Sequence, residues 1–167
     1  VKAHQISWLP IIVFTLFGAF MLFLALASII TSLLAVGNIK DMVTDILTFI
    51  GELSVSSLFL GYGVYLFSKR KQGKAFYWDD EGVVIDLRGN KVYWKEIEEI
   101  RFVKVKSLKS TVIYPHYTYW EQIRIRHKKS IGTTAYDIPW FLIERPKEYH
   151  QNLMKAWEKQ QEKKTFK

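Results

Sequence analysis

The distribution of apolar positions divides the chain before any motif is considered. From Leu9 to Val36 there is no charged residue, and the run is dominated by Leu, Ile, Phe and Ala. At about 1.5 Å rise per residue these positions span about 42 Å as a helix, more than the ~30 Å hydrocarbon core of a bilayer. A second apolar stretch runs from about Ile46 to Phe67 and is also long enough to cross. Trp8 precedes the first run, where an amphipathic ring suits a membrane interface. A signal peptide has a much shorter apolar core and a small-x-small cleavage site, and no clear site of that kind follows here. The pattern predicts a transmembrane hairpin over residues 1–67, with helices at about 9–36 and 46–67 and a short external loop at 37–45.

Beyond Ser68 the period shortens. Val83, Ile85 and Leu87 alternate with Val84, Asp86 and Arg88, as in a half-buried strand. Gly89-Asn90 tolerates positive φ and reads as a hairpin turn. Strands are expected at 75–79, 83–87 and 91–93, then at Arg101–Leu108, Val112–Trp120, Glu121–His127 and Ile131–Ile138. Trp94, Ile97 and Ile100, three apart, fit a helical turn or a bulged strand start. Pro146 then opens a helix to about Gln161 with Tyr149, Leu153, Ala156 and Trp157 on one face. The fold expected is an α-helical membrane hairpin followed by an α+β domain at 68–167, an antiparallel split β-barrel of six or seven strands capped by the C-terminal helix.

Charge orients this arrangement. Of 24 Lys and Arg only Lys2 and Lys40 precede residue 68, and of 16 acids only Asp41, Asp45 and Glu52 do. The remaining hundred residues therefore hold 22 bases and 13 acids, a net charge of +9. Lys69, Arg70, Lys71 and Lys74 directly follow the second apolar run, whereas Lys40 in the link is offset by Asp41. The positive-inside rule places both termini in the cytoplasm of a two-span cell-membrane protein.

Two groups of side chains are candidates for function. Asp45, Thr48, Glu52 and Ser56 recur at spacings of three and four, so they share a face of the second helix. Glu52 falls about 10 Å inside the membrane boundary, where an ionised carboxylate is costly. Ser28 on the first helix is its expected hydrogen-bond neighbour. A protonated Glu52 that fixes hairpin packing, aided by Gly51, Gly61 and Gly63, competes with a partner-binding or proton-sensitive role. The second group is basic. Lys104 and Lys106 alternate with Val103 and Val105, and Arg124 and Arg126 with Ile123 and Ile125. On strands this alternation turns the bases outward and the apolar residues to the core. Together with Lys69, Arg70, Lys71 and Lys74 they form a candidate anionic-lipid surface. Ordinary solubility explains the same charges, and nucleic acid is disfavoured because a tethered domain meets lipid headgroups first.

Catalytic chemistry has little support. There is no cysteine, and His4, His116, His127 and His150 lie on separate segments without metal-ligand spacing. No phosphate-binding loop, dinucleotide fingerprint or nucleophile elbow occurs. The expectation is a chain that is not an enzyme, with no catalytic residue, metal or cofactor, whose partners are membrane lipids and a membrane or cytoplasmic protein.

The order of strand, Asp79-Asp80-Glu81-Gly82-Val83, strand, Arg88-Gly89-Asn90, strand and Trp94-Lys95-Glu96-Ile97-Glu98-Glu99-Ile100, with the terminal helix, resembles bacterial PH-like domains. Behind two N-terminal transmembrane helices, the whole chain is similar to small PH-like bacterial membrane proteins, the YcxB-like group among them. The resemblance implies a split PH-type barrel of largely uncharacterised role; the expected function is a protein- or lipid-binding module at the cytoplasmic face. The resemblance also implies an alternative, immunity to a bacteriocin or stress protection, because some relatives protect their producers. It carries over no functional residues.

Overall fold

The computed structural model describes residues 3–34, 39–128 and 134–165. The chain forms two compact units, one of residues Trp8–Ser68 and one that joins residues 3–7 to the chain from Lys69 onward. The N-terminal residues therefore belong with the C-terminal unit, and not with the membrane hairpin to which the sequence pattern assigns them.

In the first unit, α1 (Trp8–Leu34) and α2 (Ile39–Lys71) are helices of 27 and 33 residues. Both are long and apolar enough to cross a membrane. Helix α2 begins earlier and ends later than the apolar run suggests, taking in the mixed segment 39–45 and the basic turn that ends at Lys71. Positions 39–45 of the expected external loop are thus helical, while 37 and 38 lie outside the described residues. Lys69, Arg70 and Lys71 occupy the last turn of α2, where cations suit the helix dipole. Gly73, at φ 69°, closes the helix: its N–H donates to the Arg70 carbonyl and the Lys74 N–H to that of Lys69. This paired bond pattern needs a left-handed residue that only glycine adopts without cost.

The helices touch through small residues. A Cβ on Gly18 would lie 2.8 Å from the Leu60 backbone nitrogen, and one on Gly63 would lie 2.5 Å from the Thr15 hydroxyl oxygen. Gly51 and Gly61 face open space. Of the three glycines expected to pack the hairpin, Gly63 does so, and Gly18 on α1 takes the other contact. Phe14 and Phe17 pack on Phe59, at centroid separations of 5.8 and 4.7 Å. The outward faces are apolar: Leu16 and Phe23 are each 66 % exposed and Leu58 is 74 % exposed.

The second unit contains three small antiparallel sheets: β1 (His4–Gln5) with β2 (Ala75–Phe76), β3 (Gly82–Val84) with β4 (Lys91–Tyr93), and β5 (Ile97–Val105), β6 (Leu108–Pro115) and β7 (Tyr136–Pro139) in that order. They do not close into a barrel, so the expected split barrel is only loosely matched. Two α-helices, the 7-residue α3 (Trp120–Arg126) and the 20-residue α4 (Pro146–Thr165), belong to the same unit. The core is built from Val83, Val92, Ile100, Ile113, Ile123 and Ile138, covered by Tyr149 and Leu153 of α4. The amphipathic C-terminal helix therefore lies where its apolar face requires.

Three local expectations are corrected. Residues 121–126 belong to α3 rather than to a strand: of the apolar residues in that segment Ile123 is buried and Ile125 is exposed. The β3–β4 connection is longer than a two-residue hairpin, because the Asp86 carboxylate accepts the Arg88 and Asn90 N–H groups at 3.0 Å and shapes a wider loop ending at Gly89, φ 89°. The final strand begins at Tyr136, and positions 131–133 lie outside the described residues.

Residues 3–7 are held firmly. Ile6 is fully buried and bridges Ile143, Ser7 N–H donates to the Leu142 carbonyl at 2.8 Å, and Glu144 N–H donates to the Gln5 carbonyl at 2.9 Å. His4 stacks on Trp78 and meets Tyr149 edge-on, at centroid separations of 6.0 and 5.3 Å.

Candidate functional site

The eight basic residues picked out by the sequence divide into three kinds. Lys71 and Lys74 are exposed, Lys69 is half-buried, and Lys104 and Lys106 are exposed on the β5–β6 hairpin. Arg70 is different. Its guanidinium donates to the Ile6 carbonyl and lies 3.4 Å from the Glu144 carboxylate. A cation expected at a lipid surface is instead a clamp on the N-terminal segment.

Arg124 and Arg126 also part company. Two residues apart on a helix they point about 200° away from each other, whereas a strand would have put them side by side. Arg124 pairs with Glu121 one turn earlier, at 2.5 Å. Arg126 turns inward and binds both oxygens of Glu96, at 2.8 and 2.6 Å. It also donates to the Lys91 carbonyl at 3.1 Å and lies over the Tyr93 ring at 4.4 Å. Glu96 is 1 % exposed and accepts the Tyr93 N–H as well, at 2.9 Å. A buried carboxylate needs such a set of donors, so this pair is structural. Nothing in residue spacing alone separates Arg126 from Arg124. The signal lies in recognising 120–126 as a helix.

The acids of the Asp79–Glu81 turn are also accounted for by structure. Asp79 accepts the Glu81 and Gly82 N–H groups at 3.0 Å and pairs with Lys91 at 2.6 Å. Burial pushes its carboxyl up, but the Lys91 ammonium and the two N–H groups outweigh this and hold it below the usual carboxylate range. The Lys91 ammonium is pushed up in turn, first through its bond to Asp79. Gly82 is required by the close approach of β4, since a Cβ there would lie 2.2 Å from the Val92 carbonyl oxygen. No cluster of three or more His, Cys, Asp or Glu suited to a metal occurs among the described residues.

In the hairpin, Asp45 and Glu52 are half-buried and Ser28 is half-buried on α1. Glu52 and Ser28 are not hydrogen-bonded: the Ser28 carbonyl accepts the Thr31 hydroxyl at 2.8 Å, and one Glu52 carboxylate oxygen is buried with no hydrogen-bond partner. The bond between helices is made one turn along the same stripe, where the Ser56 hydroxyl donates to the Gly18 carbonyl at 2.8 Å. That site has a small residue opposite, which lets the backbone come close enough to accept. Thr48, Ser54 and Ser57 bond back to the carbonyls of Thr44, Ile50 and Leu53. Their hydroxyls are thus satisfied within the helix without water.

Residue spacing does not reveal the tip of the β5–β6 hairpin as a unit. By strand register, Ile100 and Phe102 lie on the face that carries Ile113 and Thr111. Lys104 continues that face beyond the end of the core, and Val103 and Val105 lie on the opposite one. The expected facing of Val103 and Val105 is thus reversed: Val103 is half-buried and Val105 is 62 % exposed, paired with Leu108 at 70 %.

No family model, no curated protein and no solved structure matches the chain.

Proposed function

We propose that this chain is a non-enzymatic, membrane-anchored binding module of a bacterial inner membrane, with two spans, both termini in the cytoplasm, and a C-terminal unit of PH-like type that contacts lipid or protein. The observation that carries this reading is the apolar outward surface of α1 and α2. Large side chains such as Leu16, Phe23 and Leu58 are exposed along both helices, and the hydroxyls of Thr48, Ser54 and Ser57 are bonded within α2. Soluble proteins rarely expose contiguous apolar patches beyond a few hundred Å². Lipid is the solvent that suits this surface.

The pairing of residues 3–7 with the C-terminal unit supports a hairpin, because both ends of the α1–α2 segment must then lie on one side of the membrane. The cluster Lys69, Lys71 and Lys74 favours the cytoplasmic side. The series of short antiparallel strands followed by a packed terminal helix is compatible with a PH-like unit.

The absence of cysteine makes the topology directly testable. Single cysteines at Asn38 and Lys155 are treated with a membrane-impermeant maleimide in intact bacterial cells. Asn38→Cys is expected to react, and Lys155→Cys to react only after lysis. Labelling of Lys155→Cys in intact cells would overturn the orientation.

A further inference from the structure

The β5–β6 hairpin outruns the core it belongs to. The paired residues Ile100 and Ile113 are buried, whereas the last pair, Val105 and Leu108, is mostly exposed. Lys104 lies directly opposite Lys109, and Lys106 occupies the turn at φ 54°, a left-handed conformation uncommon for a residue with a side chain. From Arg101 to Trp120 the chain has four bases, Arg101, Lys104, Lys106 and Lys109, and no acid. In water this tip is unfavourable on two counts. Like charges face each other across the strands, and a Val–Leu pair stays wet. A surface that is negatively charged and apolar just beneath removes both penalties.

The position of the tip within its unit identifies that surface. Strand β7 pairs Pro139 with Ser110, and runs antiparallel to β6, so the chain beyond Pro139 heads the same way as β6 does toward Leu108. Trp140 follows and packs on Phe102 at 4.8 Å. Leu142 then accepts the Ser7 N–H, and Ile143 bridges Ile6, whose carbonyl accepts from Arg70. The hairpin tip thus points toward the end of the unit where the chain leaves for α1 after Ser7 and returns from α2 at Lys69. At about 3.3 Å per residue, the turn lies about 10–13 Å beyond the Ser110–Pro139 pair. Phe141 is also exposed on the connection at this end.

We propose that the β5–β6 tip is a docking surface for an anionic lipid bilayer, with Val105 and Leu108 entering the interface and Lys104, Lys106 and Lys109 meeting headgroup phosphates. This rests on the reading that α1 and α2 span the membrane. Each lysine near an anionic surface raises the docked-to-free ratio about fivefold, so the three together give about a hundredfold. The exposed apolar pair adds at least tenfold on burial.

The test uses the full chain reconstituted into vesicles of phosphatidylcholine alone or with phosphatidylglycerol. An environment-sensitive fluorophore is attached at Ser107→Cys, with Arg88→Cys at the exposed β3–β4 loop as the reference. The expected result is a blue-shifted Ser107→Cys probe, quenched by spin-labelled lipid, in phosphatidylglycerol vesicles only. The combined variant K104A/K106A/K109A and, separately, V105S/L108S should each return the probe to water. A Ser107→Cys probe as wet as that at Arg88→Cys in anionic vesicles overturns the proposal, as does a shift indifferent to lipid charge. A probe wet in anionic vesicles but shielded in native membranes also overturns it, and points to a protein partner. The maleimide experiment reports the spans separately, so a wet tip on a correctly oriented chain refutes the docking surface alone.

Discussion

Arg126→Met should unfold the C-terminal unit at a much lower temperature, although the changed residue is partly exposed and is one of three arginines that the sequence assigns to a lipid surface. The substitution keeps most of the aliphatic stem and removes the guanidinium. It leaves Glu96, 1 % exposed, without the two charge-assisted bonds at 2.8 and 2.6 Å and retaining only the Tyr93 N–H. Removing one partner of a buried ion pair costs about 3–5 kcal/mol. The Arg126 side chain is 30 % exposed, so water reaches one end of the pair and the lower limit, about 3 kcal/mol, applies. For a unit of this size each kcal/mol moves the midpoint by about 4–8 °C, which gives a fall of about 12–24 °C. Five of the six tryptophans lie in this unit, so intrinsic fluorescence of the full chain in detergent micelles reports its melting. Two comparisons isolate the cause. Arg124→Met, which breaks only the exposed pair with Glu121, should leave the midpoint unchanged. The double variant E96Q/R126M should melt above R126M, because the neutral amide no longer strands a charge. A midpoint for R126M no lower than that of R124M would refute the assignment of Arg126 to the core.

Two further outcomes concern the same unit. Ile6→Ala should lower the melting point of the C-terminal unit by the cost of emptying a fully buried site, about 2–5 kcal/mol, and an unchanged melt would show that residues 3–7 are not part of it. The unit should also lose stability in mild acid through His150, whose ring is half-buried against Phe102 and Trp140, with Nδ1 3.1 Å from the Thr111 hydroxyl. Burial holds its pKa below the ordinary value of about 6.5, so the unfolded chain takes up the proton first. This stability is present above pH 6.5 and lost as pH falls through the folded-state pKa. The pH-dependent fall should begin near pH 6.5 in the wild type and be absent from His150→Asn until carboxylates such as Asp79 titrate below about pH 4. An identical profile for both proteins would exclude His150 as the source.

The parts of the fold that were legible in the sequence are those with a long, one-sided signal. An uncharged run from Leu9 to Val36 leaves few alternatives to a membrane-length helix, and Tyr149, Leu153 and Trp157 mark the face of α4 by spacing alone. Short segments misled. Ile123 and Ile125 between Arg124 and Arg126 satisfy a period of two, yet seven residues are too few for alternation to outweigh context, and the segment is helical. The same error made Arg126 look like a surface charge when it is the partner of Glu96. Strand parity was lost at β5 for a different reason. The register shifts between Ile97 and Glu99, so the face assigned to Val103 and Val105 depends on an irregularity that residue types do not reveal. The site at Ser56 and Gly18 was half legible: the polar stripe on α2 named the donor, but its acceptor is a backbone carbonyl, which every residue has.

The feature with most consequence for function was the one with least signal. A five-residue segment before the first apolar run has no pattern of its own, yet it supplies β1, a buried Ile6 and the carbonyl that Arg70 binds. Once it is in place, α1 starts from and α2 returns to the same end of the same unit, so the segment between them must cross a membrane an even number of times or not at all. Charge then needs to settle only which side that is, a far weaker demand than settling the topology. The same tether bears on the hairpin tip. A surface of three lysines and two apolar side chains binds a bilayer weakly from free solution. If α1 and α2 span the membrane as proposed, the tip is held beside a bilayer by its own chain and meets lipid at a high effective concentration, so that few contacts are needed.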